Sequence, residues 1–494
     1  MISTSNVAVE PPAPVGLRRV LALFAPVKRA ELITVLILMV NVFVLLSCYY
    51  VLKVVREPLI LLGGGAELKA YASAGQTLLL VAVIPAFSWL SNRVSRVRLL
   101  TTMQLIFIGC LIAFGVLAQA HAPIGLAFYL WLGIFNVLVV SNFWSFANDL
   151  YSEEQGKRLF AVIGVGASIG AIIGAFVPHL LNDAIGPTGL ILVAAGGLGV
   201  SIVLYRVVDH RERERERSAR VAPRAAEPKP STKGGFALVM KDRYLRLLAA
   251  MVVIAMVINT TGEYVIGKMA TERSEVYATE TVAAAGAAAK PDAKPDAKHD
   301  AKHDGKDKPT DPREAAQTEY LSKFYSEYYG LVNLLSFLLQ AVVVARLLTK
   351  LGIRRALFIM PLVVLGGWFA LLLFANVTMV RIEKTTENSL DYSLHNTIRH
   401  AVFLPTDRDA KYKGKAAIDS FFFRIGDVIA GLGVVFLLVE VLGLGVRAFA
   451  VMNVILAVGW LLLAYRAGKL YDTLVAEHEA AAPPVAPEGH AATG

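Results

Sequence analysis

Lys53, Arg56 and Glu57 stand inside or at the end of a long apolar run, Ile33 to Leu62. Positions i, i+3 and i+4 share one face of a helix, and an ionisable side chain within a membrane span as a rule faces a bundle interior or a watery cavity. The face is therefore a candidate surface for an anion, the alternative being that both cations snorkel to an interface beside Glu57. A second apolar run carries Asn259-Thr260-Thr261-Gly262-Glu263-Tyr264-Val265-Ile266-Gly267-Lys268. A third, the least hydrophobic, holds Glu383, Lys384, Glu387, Asp391, His395, Arg399 and His400. Residues 383, 387 and 391 recur every four positions as an acidic stripe, with Arg399 two turns beyond, and Arg424 and Asp427 follow in Phe422-Phe423-Arg424-Ile425-Gly426-Asp427.

So many cations among apolar residues suit an anion with several charges, and Arg suits phosphate through its two-pronged donor geometry. The candidate binding residues are Lys53, Arg56, Glu263, Lys268, Arg399, Arg424 and Asp427, with Glu57, Glu383, Glu387 and Asp391 as counter-ions that exchange partners. An internal ion-pair network that only holds or switches the bundle is the alternative. Tyr49, Tyr50, Trp144, Tyr264 and Phe403 are placed to stack a base or to pack. Catalysis is not expected. Gly414-Lys415 is followed by Ala416-Ala417, which breaks the phosphate-loop pattern, and no His, Cys or acidic constellation has enzyme spacing. No cofactor and no metal site are predicted. His299 and His303 lie in a polar repeat with nothing to hold a metal in place, and Cys48 and Cys110 read as small core residues.

The elements that must position these residues are membrane helices. Of 494 residues 56% are hydrophobic, the mean hydropathy is +0.56, and the apolar runs are about 20 residues long, the length that crosses a bilayer. The fold class predicted is an all-α integral membrane protein of twelve spans: 33–55, 70–90, 99–118, 123–147, 158–181, 187–208, 244–268, 326–348, 354–375, 378–402, 416–440 and 444–466. Basic loops on one side (Arg18-Arg19, Lys28-Arg29, Arg93 to Arg98, Lys157-Arg158, 209–243, Arg354-Arg355, 406–415) set that side and both termini in the cytoplasm. The net charge of +10 is absorbed by that pattern, and no nucleic-acid partner is implied. The expected organisation is an N-terminal tail 1–30, a six-helix half 31–208, a charged linker 209–243, a second half 244–472 and a tail 473–494. An outer insertion, 272–317, which carries a Lys/Asp/Pro/Ala repeat, is expected to be disordered throughout.

The halves echo each other in paired basic turns, Arg93 to Arg98 against Arg354-Arg355, and in paired Gly-rich helices. Gly166, Gly170 and Gly174, at i, i+4 and i+8, predict close helix packing. Two six-helix halves related in the same sense resemble the major-facilitator type of secondary transporter. The run Phe403-Leu404-Pro405-Thr406-Asp407-Arg408-Asp409-Ala410-Lys411-Tyr412-Lys413-Gly414-Lys415-Ala416-Ala417-Ile418-Asp419, with Phe143-Trp144-Ser145-Phe146-Ala147-Asn148, resembles the ATP/ADP translocase family of plastids and intracellular bacteria. That resemblance implies a nucleotide antiporter of a bacterial inner membrane, with lipid around it and a nucleotide or other phosphorylated anion as substrate. It puts Lys53 in the place of a substrate lysine, Glu263 in that of a glutamate of span seven, and Arg399 in that of a lysine before the Leu-Pro motif. A further glutamate expected in span four is missing from Trp131-Leu132-Gly133-Ile134-Phe135-Asn136. A proton-coupled carrier of another organic anion and a sensor without flux are the alternatives.

Overall fold

The computed structural model describes residues 29–91, 93–151, 153–219, 234–288 and 311–481, all helical apart from short turns. The N-terminal basic pair Arg18-Arg19, residues 220–233 of the linker, the repeat at 290–304 and the tail beyond 481 lie outside the described residues. Helices α1 (Arg29–Ser91), α2 (Arg96–Gln119), α3 (Gly125–Leu150) and α4 (Glu153–Ala219) precede the linker. After it come α5 (Gly235–Lys241), α6 (Arg243–Ala288), α7 (Pro312–Leu338), α8 (Ala345–Ala356), α9 (Ile359–Leu373), α10 (Val377–Leu390) and α11 (Asn396–Ala401). Residues Ala410–Val441 run as alternating α and π turns, and α12 spans Val446–Ala481. The twelve stretches expected to cross the membrane are helical, apart from a few residues near their ends.

Among the described residues, eight helices are long and apolar enough to cross a membrane. Two of them, α1 and α4, are bent rods. Gly65 (φ 74°) and Gly186 (φ 65°) take the left-handed conformation that a side chain disfavours, and Pro187 follows the second bend. The 15 residues of α9 form a shorter apolar helix. Helix α10 is too polar to meet the same test because it buries Glu383, Lys384, Glu387, Asn388 and Ser389.

By their contacts the helices form two compact units. The first comprises the chain up to Val55, Ile84–Ala122, and Trp131 to the linker. In α1 its core residues Val35, Leu38, Val42 and Leu45 recur at helical spacing and are buried. A Cβ at Gly166, Gly170 or Gly174 of α4 would run into the backbone carbonyl oxygens of Met39, Phe43 and Ser47, so the two helices touch along their backbones as the spacing predicts. At one end Arg158 pairs with Glu31 at 2.9 Å.

The second unit holds Arg56–Val83, Pro123–Leu130 and the described chain beyond the linker. Here α6 is the central post, packed by α7, α10, α12 and the 410–441 stretch. Trp368 and Trp460 are fully buried. In both units large apolar side chains also face outward and some polar ones are enclosed: Leu180, Val81 and Ile455 are 74%, 68% and 64% exposed, while Asn41, Glu57 and Lys384 are at 0%. Apolar side chains outside and charges inside describe a chain whose solvent is lipid.

Candidate functional site

Within the second unit six charged side chains alternate in sign. Arg56 pairs with Glu57, Glu57 with Lys69 at 2.7 Å, Lys69 with Glu263 at 3.4 Å, Glu263 with Lys384 at 4.0 Å, and Lys384 with Glu387 at 3.0 Å. Three cations balance three carboxylates. Glu57, Lys69, Lys384 and Glu387 are all less than 5% exposed. Isolated charges at such positions would be prohibitively costly, and mutual pairing offsets their desolvation only when the remaining lone pairs and protons are also satisfied.

Neutral donors and acceptors add to the pairing, while Oε2 of Glu57 and Oε2 of Glu387 accept no hydrogen bond among the described residues. Tyr329 of α7 donates to Glu57 at 2.9 Å, Tyr328 donates to Glu263 at 3.1 Å, and Asn388 donates to Glu263 at 3.2 Å and to the Tyr328 oxygen at 2.6 Å. Lys384 donates to the Asn259 side-chain oxygen at 2.9 Å. The Arg56 guanidinium lies 4.4 Å from the centroid of Tyr129, a cation–π arrangement. The bend at Gly65 makes the chain of charges possible. It turns α1 back so that Lys69 meets Glu57, 12 positions earlier in the same helix.

Four of the predicted residues therefore come together: Arg56, Glu57, Glu263 and Glu387. The other candidates have no ion pair with these six among the described residues. Lys53 belongs to the first unit, its ammonium 5.2 Å from the Tyr50 ring. Lys268 pairs with Glu67 at 3.0 Å, and Tyr264 donates to the same carboxylate at 3.0 Å. Arg399 faces Asp419 at 3.7 Å and stacks over Phe423 at 5.5 Å, while Lys415 holds Asp419 at 2.6 Å. Asp427 accepts from Thr260 at 2.7 Å, with Arg424 half-buried near it. Asp391 is half-buried on the π turn after α10, and Glu383 is buried without an ion pair.

Sequence reasoning missed Lys69, Tyr328, Tyr329 and Asn388, and it noted Lys384 without making it a candidate. The signal for Lys384 was present, a cation beside Glu383 and three residues before Glu387. Among the described residues no group of three or more His, Cys, Asp or Glu is placed to hold a metal ion.

A chain that wraps lipid-facing helices around a balanced set of buried charges is built as a polytopic membrane protein with a polar interior. It belongs to the Major Facilitator Superfamily, whose model matches residues 12–287, and residues 362–471 match the family described as TLC ATP/ADP transporter. The resemblance carried by Phe403 to Asp419 is thus borne out. Among the relatives is ADP,ATP carrier protein 4 of Rickettsia felis, 22% identical over 329 residues, 59% of this chain and 56% of that one. ADP,ATP carrier protein 1 of Chlamydia pneumoniae is 23% identical over 339 residues, 61% of this chain and 58% of the relative. The chain thus matches a little over half the length of these curated relatives. A crystal structure of a POT family transporter in complex with a thioalcohol conjugated peptide shares the fold, with a TM-score of 0.58 and 14% identity over 89% of this chain and 96% of the other. These relatives are named as carriers, and the structural neighbour as a transporter.

Proposed function

We propose that the protein is a secondary transporter that exchanges nucleotides, ATP for ADP or a related pair, by alternating access. The observation that carries this reading is the match of residues 362–471 to the ATP/ADP transporter family, and the carriers named above support it. Exchange needs no hydrolysis, since each nucleotide's gradient drives the other. In this reading the chain crosses a bacterial inner membrane twelve times, as six-helix halves 31–208 and 244–472 joined by a cytoplasmic linker, with both termini in the cytoplasm. The bends in α1 and α4 let each rod cross twice, and α9 and α10 supply the spans that length and composition alone leave out.

In the second unit Arg56 and Lys384 are the cations that a nucleotide's phosphates engage, together with Arg424 and with Arg399, which the resemblance implies; Lys53 of the first unit is a substrate lysine by the same resemblance. Glu57, Glu263 and Glu387 hold the cations when no substrate is present, so the empty protein never exposes bare charge to a low-dielectric interior. An anion that takes a cation frees a carboxylate to take another partner, and this exchange ties binding to helix movement. Binding of labelled ATP to the purified protein, competed by ADP and not by a non-nucleotide polyanion such as citrate, supports the reading. Equal competition by citrate would replace the nucleotide with a general polyanion.

A further inference from the structure

We propose that the lateral groove between α7 and α10 binds one phospholipid with a primary head amine, phosphatidylethanolamine by its chemistry, with the phosphate at the start of α10 and the acyl chains along the groove. The groove has a volume of about 500 Å³, and both helices belong to the second unit. Its walls are apolar: Phe324, Leu331 and Leu335 of α7 with Ile382 of α10, the last three exposed. From Phe324 to Leu335 the wall runs about 16 Å at 1.5 Å per residue, close to the hydrocarbon depth of one leaflet. At the mouth, the insertion expected to be disordered is in part helical, for α6 runs to Ala288 and α7 begins at Pro312, capped by Asp311.

The mouth holds the phosphate. Asn376 caps α10 by accepting from the Met379 N–H, and Val380 donates to the Asn376 carbonyl, so the N–H groups of Val377 and Thr378 have no acceptor within the helix. Such N–H groups at a helix N-terminus favour an anion. One turn on, Arg381 lies over the Phe324 ring at 5.3 Å and donates to Glu327 at 2.7 Å, which uses one of its five N–H groups. Val377, Thr378 and Arg381 all line the groove. The cation and the helix terminus thus stand at the same end of an apolar channel.

The charges beside the mouth decide the headgroup. Arg381 is matched by Glu327 at 2.7 Å and Lys323 by Glu319 at 2.8 Å, so a lipid with net negative charge would unbalance them and a zwitterion would not. A phosphate on Arg381 brings the head amine to Glu327, whose side chain is 42% exposed, and a carboxylate accepts from several donors at once. A primary ammonium supplies such donors, and a quaternary one has none. The apolar walls favour the whole lipid over its free headgroup. Thr385 lines the groove beside Lys384 of the chain of charges, so the lipid lies against the helix that carries this cation. The inference goes beyond nucleotide exchange and does not depend on the identity of the substrate.

Native mass spectrometry tests the site on the full chain, stripped of lipid in detergent and titrated with phosphatidylethanolamine, phosphatidylglycerol or glycerophosphoethanolamine, with melting curves taken on the same samples. Phosphatidylethanolamine is expected to bind as one tightly held molecule per chain, more tightly than phosphatidylglycerol, and to raise the melting temperature as a ligand of the folded state does. Glycerophosphoethanolamine, which has the headgroup without the chains, is expected not to bind. Arg381→Gln is expected to weaken phosphatidylethanolamine by about tenfold or more, the effect of one lost charge-assisted hydrogen bond. Leu335→Trp fills the groove with every charge in place and is expected to weaken it as well. Phosphatidylglycerol held as tightly, the headgroup bound as well as the lipid, or unchanged phosphatidylethanolamine binding in either folded variant overturns the proposal.

Discussion

Replacing Lys384 by methionine keeps the apolar stem against Gly262 and removes the cation that Glu387 holds at 3.0 Å and that stands 4.0 Å from Glu263. The ammonium is fully enclosed, so water cannot replace it. Breaking a buried pair and leaving its partner charged costs about 3–5 kcal/mol, which at roughly 1.4 kcal/mol per tenfold is two to three and a half orders of magnitude in the folding equilibrium. Thermal unfolding in detergent micelles is the assay, with ATP binding measured on the same samples. Lys384→Met is expected to melt well below the wild type and to bind ATP weakly. The double variant Lys384→Met, Glu387→Gln removes both charges and is expected to regain most of the lost stability without regaining ATP binding, because a neutral pair leaves no orphan ion. A single variant as stable as the wild type, or a double variant no better than the single, would refute the reasoning.

Gly170→Ala forces a methyl against the Phe43 carbonyl and is expected to cost about 1–3 kcal/mol, whereas Gly433→Ala, with no atom within 4 Å of its added Cβ, is expected to be neutral or slightly stabilising; paired melting curves compare them. Tyr329→Phe deletes the 2.9 Å hydrogen bond to Glu57 and is expected to lower stability by about 1.5–3 kcal/mol, the range for a bond to a charged group, read by denaturant or thermal unfolding. Arg399→Ala leaves Asp419 with Lys415 at 2.6 Å, so its melting curve should stay near that of the wild type while nucleotide affinity falls; Arg399→Lys, which keeps the charge, should retain measurable binding.

Much of this protein is written along single helices, and those parts are legible from sequence. The glycine spacing 166, 170, 174 announced a backbone contact, and α4 makes it against α1. The acids and amides of α10 marked a helix that could not face lipid on that side, and Glu383, Glu387 and Asn388 are indeed buried. Contacts that depend on the chain returning to itself left no such trace. Lys69 stands just beyond the run of Gly63, Gly64 and Gly65, and only the bend there brings it to Glu57. Periodicity also grouped Arg399 with the acidic stripe of α10. It lies 12 residues past Glu387, roughly 18 Å along a helix at 1.5 Å per residue, and its partner is Asp419. Lys53 and Arg56 share a helical face by spacing, yet the compact units divide between them, with Val55 closing one segment and Arg56 opening the next.

Uptake of labelled ATP into proteoliposomes containing the purified protein, loaded with ADP or with buffer alone, tests the central claim most directly. Exchange predicts uptake that requires internal ADP and is lost in Lys384→Met. Absence of ATP uptake under both loadings, in vesicles whose protein is folded by its melting curve, would contradict it.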